Sequence, residues 1–148
     1  MLYVYLAGPM TGLNYKESIG WREHAAFLLD SKWLKTLSPL RCKKFLEYEG
    51  TLHALGYEGN VMTLPRGVIA RDRFDCVRCD VLFVNLLGAK QISIGTAMEM
   101  AWANLKQIPI VCVMETDNPH EHAMLSQTID FRVDTVAEGI ECVKAILD

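Results

Sequence analysis

The sequence predicts an α/β fold with a doubly wound parallel sheet, and two observations carry that prediction. Its apolar runs are short and hydrophobic throughout, as in strands buried on both faces. They alternate with segments of helical spacing, which implies parallel strands joined by helical crossovers. The size agrees: 148 residues, 51% hydrophobic and 22% charged, suit one domain over 1–148 with one hydrophobic core.

Each element has its own signal. Leu2–Ala7 is an apolar run rich in β-formers, closed by the turn Gly8-Pro9. Tyr15–Leu29 carries Ile19, Ala25, Ala26, Leu28 and Leu29 at helical spacing. Residues 33–37 read as a second strand, stopped by Pro39. The pattern then weakens. Residues 41–55 can form a helix, but Gly50, Gly56 and Gly59 interrupt it, so 40–66 reads as an insertion or lid. Residues 69–78 form a short helix, and 80–86 are the clearest buried strand. A loop with Gly88 and Gly95 leads to a helix over 96–105, with Ala97, Ala101 and Ala103 as small packing residues. Residues 108–114 give another buried strand. A terminal amphipathic helix over 135–147 places Val136, Ile140, Val143 and Ile146 on one face.

Composition excludes several classes. The net charge is −3, and no Lys/Arg cluster is large enough for a polymeric nucleic acid. A small anionic ligand needs only a few local donors and stays open. Five cysteines, an odd number, and an N-terminus that runs straight into a strand suit a reducing, cytoplasmic setting. No stretch reaches the roughly 18 apolar residues of a membrane helix. There is no Walker loop and no G-x-G-x-x-G, so no cofactor is expected.

In doubly wound sheets, ligands bind at the carboxyl ends of the strands. Three segments converge there: those after Ala7, Leu86 and Met114. Ser93-Ile94-Gly95-Thr96-Ala97-Met98-Glu99 is the most informative stretch. It places Glu99 in about the first turn of a helix, where the dipole favours an anion and should keep it ionised. Such a carboxylate can attack an anomeric carbon; alternatively it is a solvated helix-start residue. Asp72, between Arg71 and Arg73, is the second carboxylate. It can assist a leaving base, since paired carboxyls flank the bond in glycoside chemistry; alternatively it is a surface residue paired with Arg71 or Arg73. Asp75 and Asp80 compete with it, and Asp80 opens its strand at the wrong end. Tyr5, near the end of the first strand, can orient a carboxylate or merely fill the core. The loop of Gly8, Pro9, Met10, Thr11 and Gly12 lets backbone amides approach a ligand.

Two further motifs suit other chemistry less well. Cys76-Val77-Arg78-Cys79 falls at a helix end before a strand, the reverse of a redox placement, and lacks a second pair for zinc. His120 and His122 form an H-x-H without a third clear metal ligand, so no metal is expected and an exposed or substrate-contacting loop is the simpler reading.

Together these segments resemble the nucleoside 2-deoxyribosyltransferase superfamily. The matching pieces are residues 5–12, Arg71-Asp72 with Cys79-Asp80-Val81, residues 93–99, and Asn118-Pro119-His120-Glu121-His122. The match covers most of the chain except about 40–65. The resemblance implies a flavodoxin-like, five-stranded, three-layer α/β/α fold and a retaining mechanism. In it Glu99 forms a covalent glycosyl-enzyme, Asp72 assists base departure, and Tyr5 holds the nucleophile. It also implies a homodimer or higher homo-oligomer with shared sites.

Transferases of this superfamily carry Asp six residues before the nucleophile; here Ser93 stands there. The related nucleoside 5′-monophosphate N-hydrolases have Ser at that place. A carboxylate would repel a phosphate, whereas a hydroxyl can donate to it. Gly95 and backbone amides of the helix start add donors, and Ser126, after His122, can serve the same phosphate from a neighbouring subunit. Thr96 and His122 are further substrate-binding candidates. The expectation is therefore cleavage of the base–sugar bond of (2′-deoxy)nucleoside 5′-monophosphates. Base exchange on deoxyribose is the first alternative, and a nucleotide sensor without chemistry is the second.

Overall fold

The computed structural model describes residues 1–148. Its elements are β1 (Leu2–Ala7), α1 (Tyr15–Leu29), β2 (Leu34–Leu37), α2 (Pro65–Arg78), β3 (Val81–Asn85), α3 (Ile94–Leu105), β4 (Ile110–Val113), α4 (Ala123–Ser126), β5 (Phe131–Val133) and α5 (Val136–Leu147). The five strands form one all-parallel sheet in the order β2-β1-β3-β4-β5. This is the flavodoxin-like, three-layer α/β/α arrangement. Strand order reverses between β1 and β3, so the crevice beyond their carboxyl ends is where a ligand site is expected. No helix is long and apolar enough to cross a membrane.

The pleat sorts the core into two layers. Val4 and Leu6 of β1 pack with Ala25, Leu29, Ile140 and Val143, under α1 and α5. Tyr5 and Ala7 point the other way, into a layer with Cys76, Met100 and Ala103 of α2 and α3. A strand's period of two therefore aims Tyr5 at α3.

Capping fixes the helix starts. Asn14 with Glu17, and Thr135 with Glu138, make capping boxes on α1 and α5. Ser93 caps α3, which begins at Ile94, two residues before the expected start. Pro65, suited to a first helical turn, opens α2 four residues before the expected start.

One sequence expectation is corrected, and two elements had no sequence signal. Residues 41–55 hold only a 3-10 turn at Lys44–Tyr48; the rest is loop, folded over a small cluster of Leu40, Leu46 and Leu52. Gly50, Gly56 and Gly59 all adopt positive φ there, which a continuous helix cannot accommodate. The short α4 and the three-residue β5 left no sequence pattern of their own. Neither Phe131 nor Arg132 of β5 is buried, so the edge strand lacks an apolar run.

Candidate active site

A cleft of about 770 Å³ opens beyond the carboxyl ends of β1 and β3. Gly8, Pro9 and Met10 line it, as do Asp72, Ser93, Gly95, Thr96 and Glu99. The 40–66 excursion supplies Leu40, Lys43, Leu46, Leu52 and Tyr57 to another wall. A smaller cavity of about 200 Å³, lined from α2 and α3, reaches Asp72 and Glu99 as well.

At the floor, the Tyr5 hydroxyl donates to Glu99 Oε1 at 2.8 Å. Tyr5 is fully buried beneath the cleft, and its neighbour on the sheet is Leu82 of β3. Glu99 is the sixth residue of α3, beyond the first turn. That corrects the expectation of an ionised, dipole-held carboxylate. Burial, then the nearby charge of Asp72, push its pKa up to about 8, while Tyr5, Arg22 and Lys43 pull it back. Asp72 is also raised, chiefly by burial.

Asp72 is no surface residue. It is 7% exposed, and its Oδ1 has no hydrogen-bond partner. Neither Arg71 nor Arg73 pairs with it. Arg71 instead binds the Arg41 carbonyl at 2.7 Å and faces Asp75 at 3.9 Å. The two buried carboxyls thus sit in one pocket with few donors between them. Burial disfavours ionisation of both, and the charge of Asp72 further disfavours that of Glu99.

The surroundings of the cleft are held by buried polar groups. Arg22 is 1% exposed, binds the Gly8 carbonyl at 2.8 Å and the Leu6 carbonyl at 3.1 Å, and also donates to the Ser18 carbonyl. Burial lowers its pKa to about 10, against the pull of Glu99, Tyr5 and Asp72. A Cβ on Gly8 would meet the Asn85 carbonyl at 2.7 Å, so only glycine lets this loop cross the β3 end. Beside Gly95 nothing lies within 4 Å of where a Cβ would be, which leaves that helix turn open to the cleft. Ser93 Oγ lies 2.9 Å from Thr96 Oγ1 and accepts from the Thr96 amide at 3.3 Å.

The H-x-H pair divides. His120 is buried, not loop-exposed: its Nε2 accepts from the Ser93 amide at 2.8 Å and its Nδ1 faces Asn118 Oδ1 at 2.8 Å. It therefore braces the start of α3. His122 caps α4 through the Met124 amide, and neither it nor Ser126 lines the cleft of its own chain. No group of three or more His, Cys, Asp or Glu side chains is placed to hold a metal. Cys76 and Cys79 are buried free thiols; burial pushes Cys79 up to about 12 and Cys76 higher still, the opposite of a reactive pair.

Sequence reasoning missed Arg22 and Lys43. Arg22 had a signal, since Ser18, Arg22, Ala25 and Leu29 share one buried helix face. Lys43 had none: in Arg41-Cys42-Lys43-Lys44 it looks like a solvated lysine, and only the loop's path buries it.

No protein-family model and no curated protein matches the sequence. Solved structures do. The CMP N-glycosidase BcmB of Clostridium botulinum aligns with a TM-score of 0.59 at 15% identity, over 97% of this chain and 98% of that one. A molybdenum cofactor binding protein from Rippkaea orientalis gives 0.58 at 16%, over 99% and 98%. BlsM gives 0.59 at 18%, over 97% and 88%. At such identities the likeness establishes a shared fold, the nucleoside 2-deoxyribosyltransferase-like fold. A cofactor-binding protein and a glycosidase on one scaffold leave function to the site.

Proposed function

We propose that the chain is an N-glycosidase that cleaves the base–sugar bond of (2′-deoxy)nucleoside 5′-monophosphates, with Glu99 as nucleophile. The observation that carries this reading is the hydrogen bond from Tyr5 to a buried Glu99, beside an unpartnered Asp72, at the floor of one cleft. The glycosidase activity of BcmB on the same fold supports it.

The chemistry follows from where one proton rests. Tyr5 donates to Glu99 at the cleft floor, and the Arg22 guanidinium, with Lys43, adds positive charge that favours an ionised Glu99. The productive state is the one in which Glu99 is ionised and Asp72 carries the proton. Glu99 attacks C1′ as the C1′–N bond breaks, and Asp72 gives its proton to the departing base. Water next opens the glycosyl ester, returning a proton to Asp72 and freeing Glu99. Ser93, Gly95 and Thr96, with the first amides of α3, receive the 5′-phosphate.

Residues 40–66 act as the lid of the single domain. A second copy of the chain brings His122 and Ser126 to the phosphate, because they lie outside the cleft of their own chain. Exposed Ile94, Met98 and Leu105 give α3 an apolar face for that contact. The setting is cytoplasmic. Chromatography of base release from nucleosides and nucleoside 5′-monophosphates, with and without an acceptor base, tests the reading. Release from monophosphates without acceptor is expected. Release only from nucleosides with acceptor overturns it in favour of a transferase, and tight nucleotide binding with no release makes the chain a sensor. Sedimentation showing an active monomer overturns the shared site.

A further inference from the structure

His120 is a fully buried titratable side chain to which the proposed chemistry gives no task. Both of its ring nitrogens are engaged, and backbone groups at the two ends of its network fix which one carries the proton. At one end is the Leu86 carbonyl, which can only accept. It receives Asn118 Nδ2 at 2.8 Å, and the same nitrogen donates to Glu115 Oε2 at 3.1 Å. The orientation of the buried Asn118 amide is thereby set, with Oδ1 toward His120. That oxygen accepts from the His120 backbone amide at 3.0 Å and lies 2.8 Å from Nδ1. An amide oxygen has no hydrogen to give, so Nδ1 carries the proton. At the other end is the Ser93 N–H, which can only donate, 2.8 Å from Nε2. Nε2 is therefore bare, and both ends demand the same neutral tautomer. Burial lowers the pKa of His120, which keeps the ring neutral, against the charge of Glu115. A protonated ring would set N–H against N–H at Ser93.

What this network holds is the segment from β3 to α3. Glu115 Oε1 accepts from the Gly88 amide at 3.0 Å, and Asn118 donates to the Leu86 carbonyl, so the segment is fixed at its beginning. His120 fixes it at its end, on the residue that caps α3. Ser93 Oγ accepts from the Thr96 amide at 3.3 Å and lies 2.9 Å from Thr96 Oγ1. When Thr96 Oγ1 donates, both lone pairs of Ser93 Oγ are occupied. Its own hydrogen is then free for the cleft that Ser93 lines. Ser93 is thus held at its amide by His120 and at its hydroxyl by Thr96, and one donor remains.

We propose that His120 is a positioning residue for the 5′-phosphate: as its Nδ1–H tautomer it fixes the Ser93 backbone so that the Ser93 hydroxyl donates to a phosphate oxygen. This rests on the reading above, in which Ser93 receives the phosphate. His120 does not line the cleft, touches no reacting atom and transfers no proton.

The test compares wild type, His120→Gln and His120→Asn. A glutamine can place its oxygen where Nε2 stands and accept from the Ser93 amide. An asparagine is shorter and reaches only the Nδ1 position. His120→Asn should lower the monophosphate-to-nucleoside ratio of kcat/KM about tenfold, chiefly through KM for the monophosphate, and His120→Gln should hold it within about threefold. An unchanged ratio in His120→Asn, or equal losses in both variants, overturns the proposal. A second measurement needs no turnover. Ribose 5-phosphate should bind His120→Asn about tenfold more weakly than wild type, with His120→Gln close to wild type. Unchanged ribose 5-phosphate binding in His120→Asn overturns the role of His120 even where base release is seen. His120-dependent binding without any base release instead overturns the glycosidase reading and leaves His120 bracing a phosphate site. Nuclear magnetic resonance of the wild type decides the matter where the variants do not fold. The His120 Nε2 resonance should be that of an unprotonated ring nitrogen, and it should shift together with the Ser93 amide when ribose 5-phosphate is added. A protonated Nε2, or resonances that stay in place, overturns the proposal.

Discussion

Helix α2 carries two buried aspartates three residues apart, and they have opposite surroundings. Asp75 is surrounded by arginines: Arg41 and Arg78 each reach it at 2.8 Å, and Arg71 lies at 3.9 Å. Asp72 has an oxygen with no partner, and its charge reaches a second buried carboxyl, Glu99, in the same cleft. The first arrangement holds the 40–66 excursion to α2 through Arg41. The second ties no segment to α2 by an ion pair, and its buried, unpartnered oxygen costs free energy. A fold keeps such a group where its chemistry is used.

The largest effect that sharpens this contrast is at Glu99. Glu99→Gln should keep the fold and nucleotide binding but lose several powers of ten in turnover, as expected for a covalent catalyst. Near-normal base release from that variant sinks the nucleophile assignment. A mechanism-based 2-fluoro sugar analogue should add its mass to Glu99 in the wild type only.

The two aspartates should then respond in opposite ways. Asp72→Asn should cut turnover roughly a hundredfold or more, the usual cost of losing a general acid, with stability unchanged or raised. Asp75→Asn should cost about 2–3 kcal/mol of stability, below the full figure for a buried pair because Arg41 and Arg78 are one-third exposed. Its turnover per folded molecule should hold. Denaturant melts and kcat measured on the same preparations decide it; matched losses in both variants would erase the distinction.

Ser93 offers a smaller test, because it has two jobs. As the cap of α3 it should contribute about 1 kcal/mol, lost equally whatever the substrate. As a donor to a 5′-phosphate it should contribute about one to two powers of ten in the monophosphate-to-nucleoside ratio of kcat/KM. Ser93→Ala should lower that ratio, and Ser93→Asp should lower it further by setting anion against anion. An unchanged ratio with lowered stability leaves Ser93 a cap alone.

A separate test is the pH dependence of stability. The Glu99 carboxyl titrates near its usual 4.5 in the unfolded chain and is pushed up to about 8 in the folded one. The folded chain holds that proton more tightly. The stability this contributes is therefore fully present below about pH 4.5 and is lost as pH rises toward 8. Asp72, raised as well, adds in the same direction. Glu99→Gln should flatten the decline between those limits in denaturant midpoints; an identical slope in both proteins contradicts the burial of this charge.

Much of this was legible in the sequence. The uniformly apolar runs of β1, β3 and β4 and the helical spacing of α1 and α5 determined a doubly wound sheet, because strands buried on both faces admit no polar alternation. The motif around 93–99 points to the α3 start, and the sequence singles out Tyr5, Asp72 and Glu99 as candidate site residues. Tertiary structure decided the rest. Whether Asp72 pairs with Arg71 depends on Arg41, thirty-one residues away in sequence, which draws Arg71 to its own carbonyl. Whether Glu99 is ionised depends on depth within α3 and on Asp72, not on its distance from the helix start along the chain. Lys43 becomes a cleft residue only because the loop over Leu40, Leu46 and Leu52 folds it inward. Local sequence sets backbone preference and apolar pattern, which act over a few residues; charge, solvation and proton affinity are set by whatever the whole chain packs nearby.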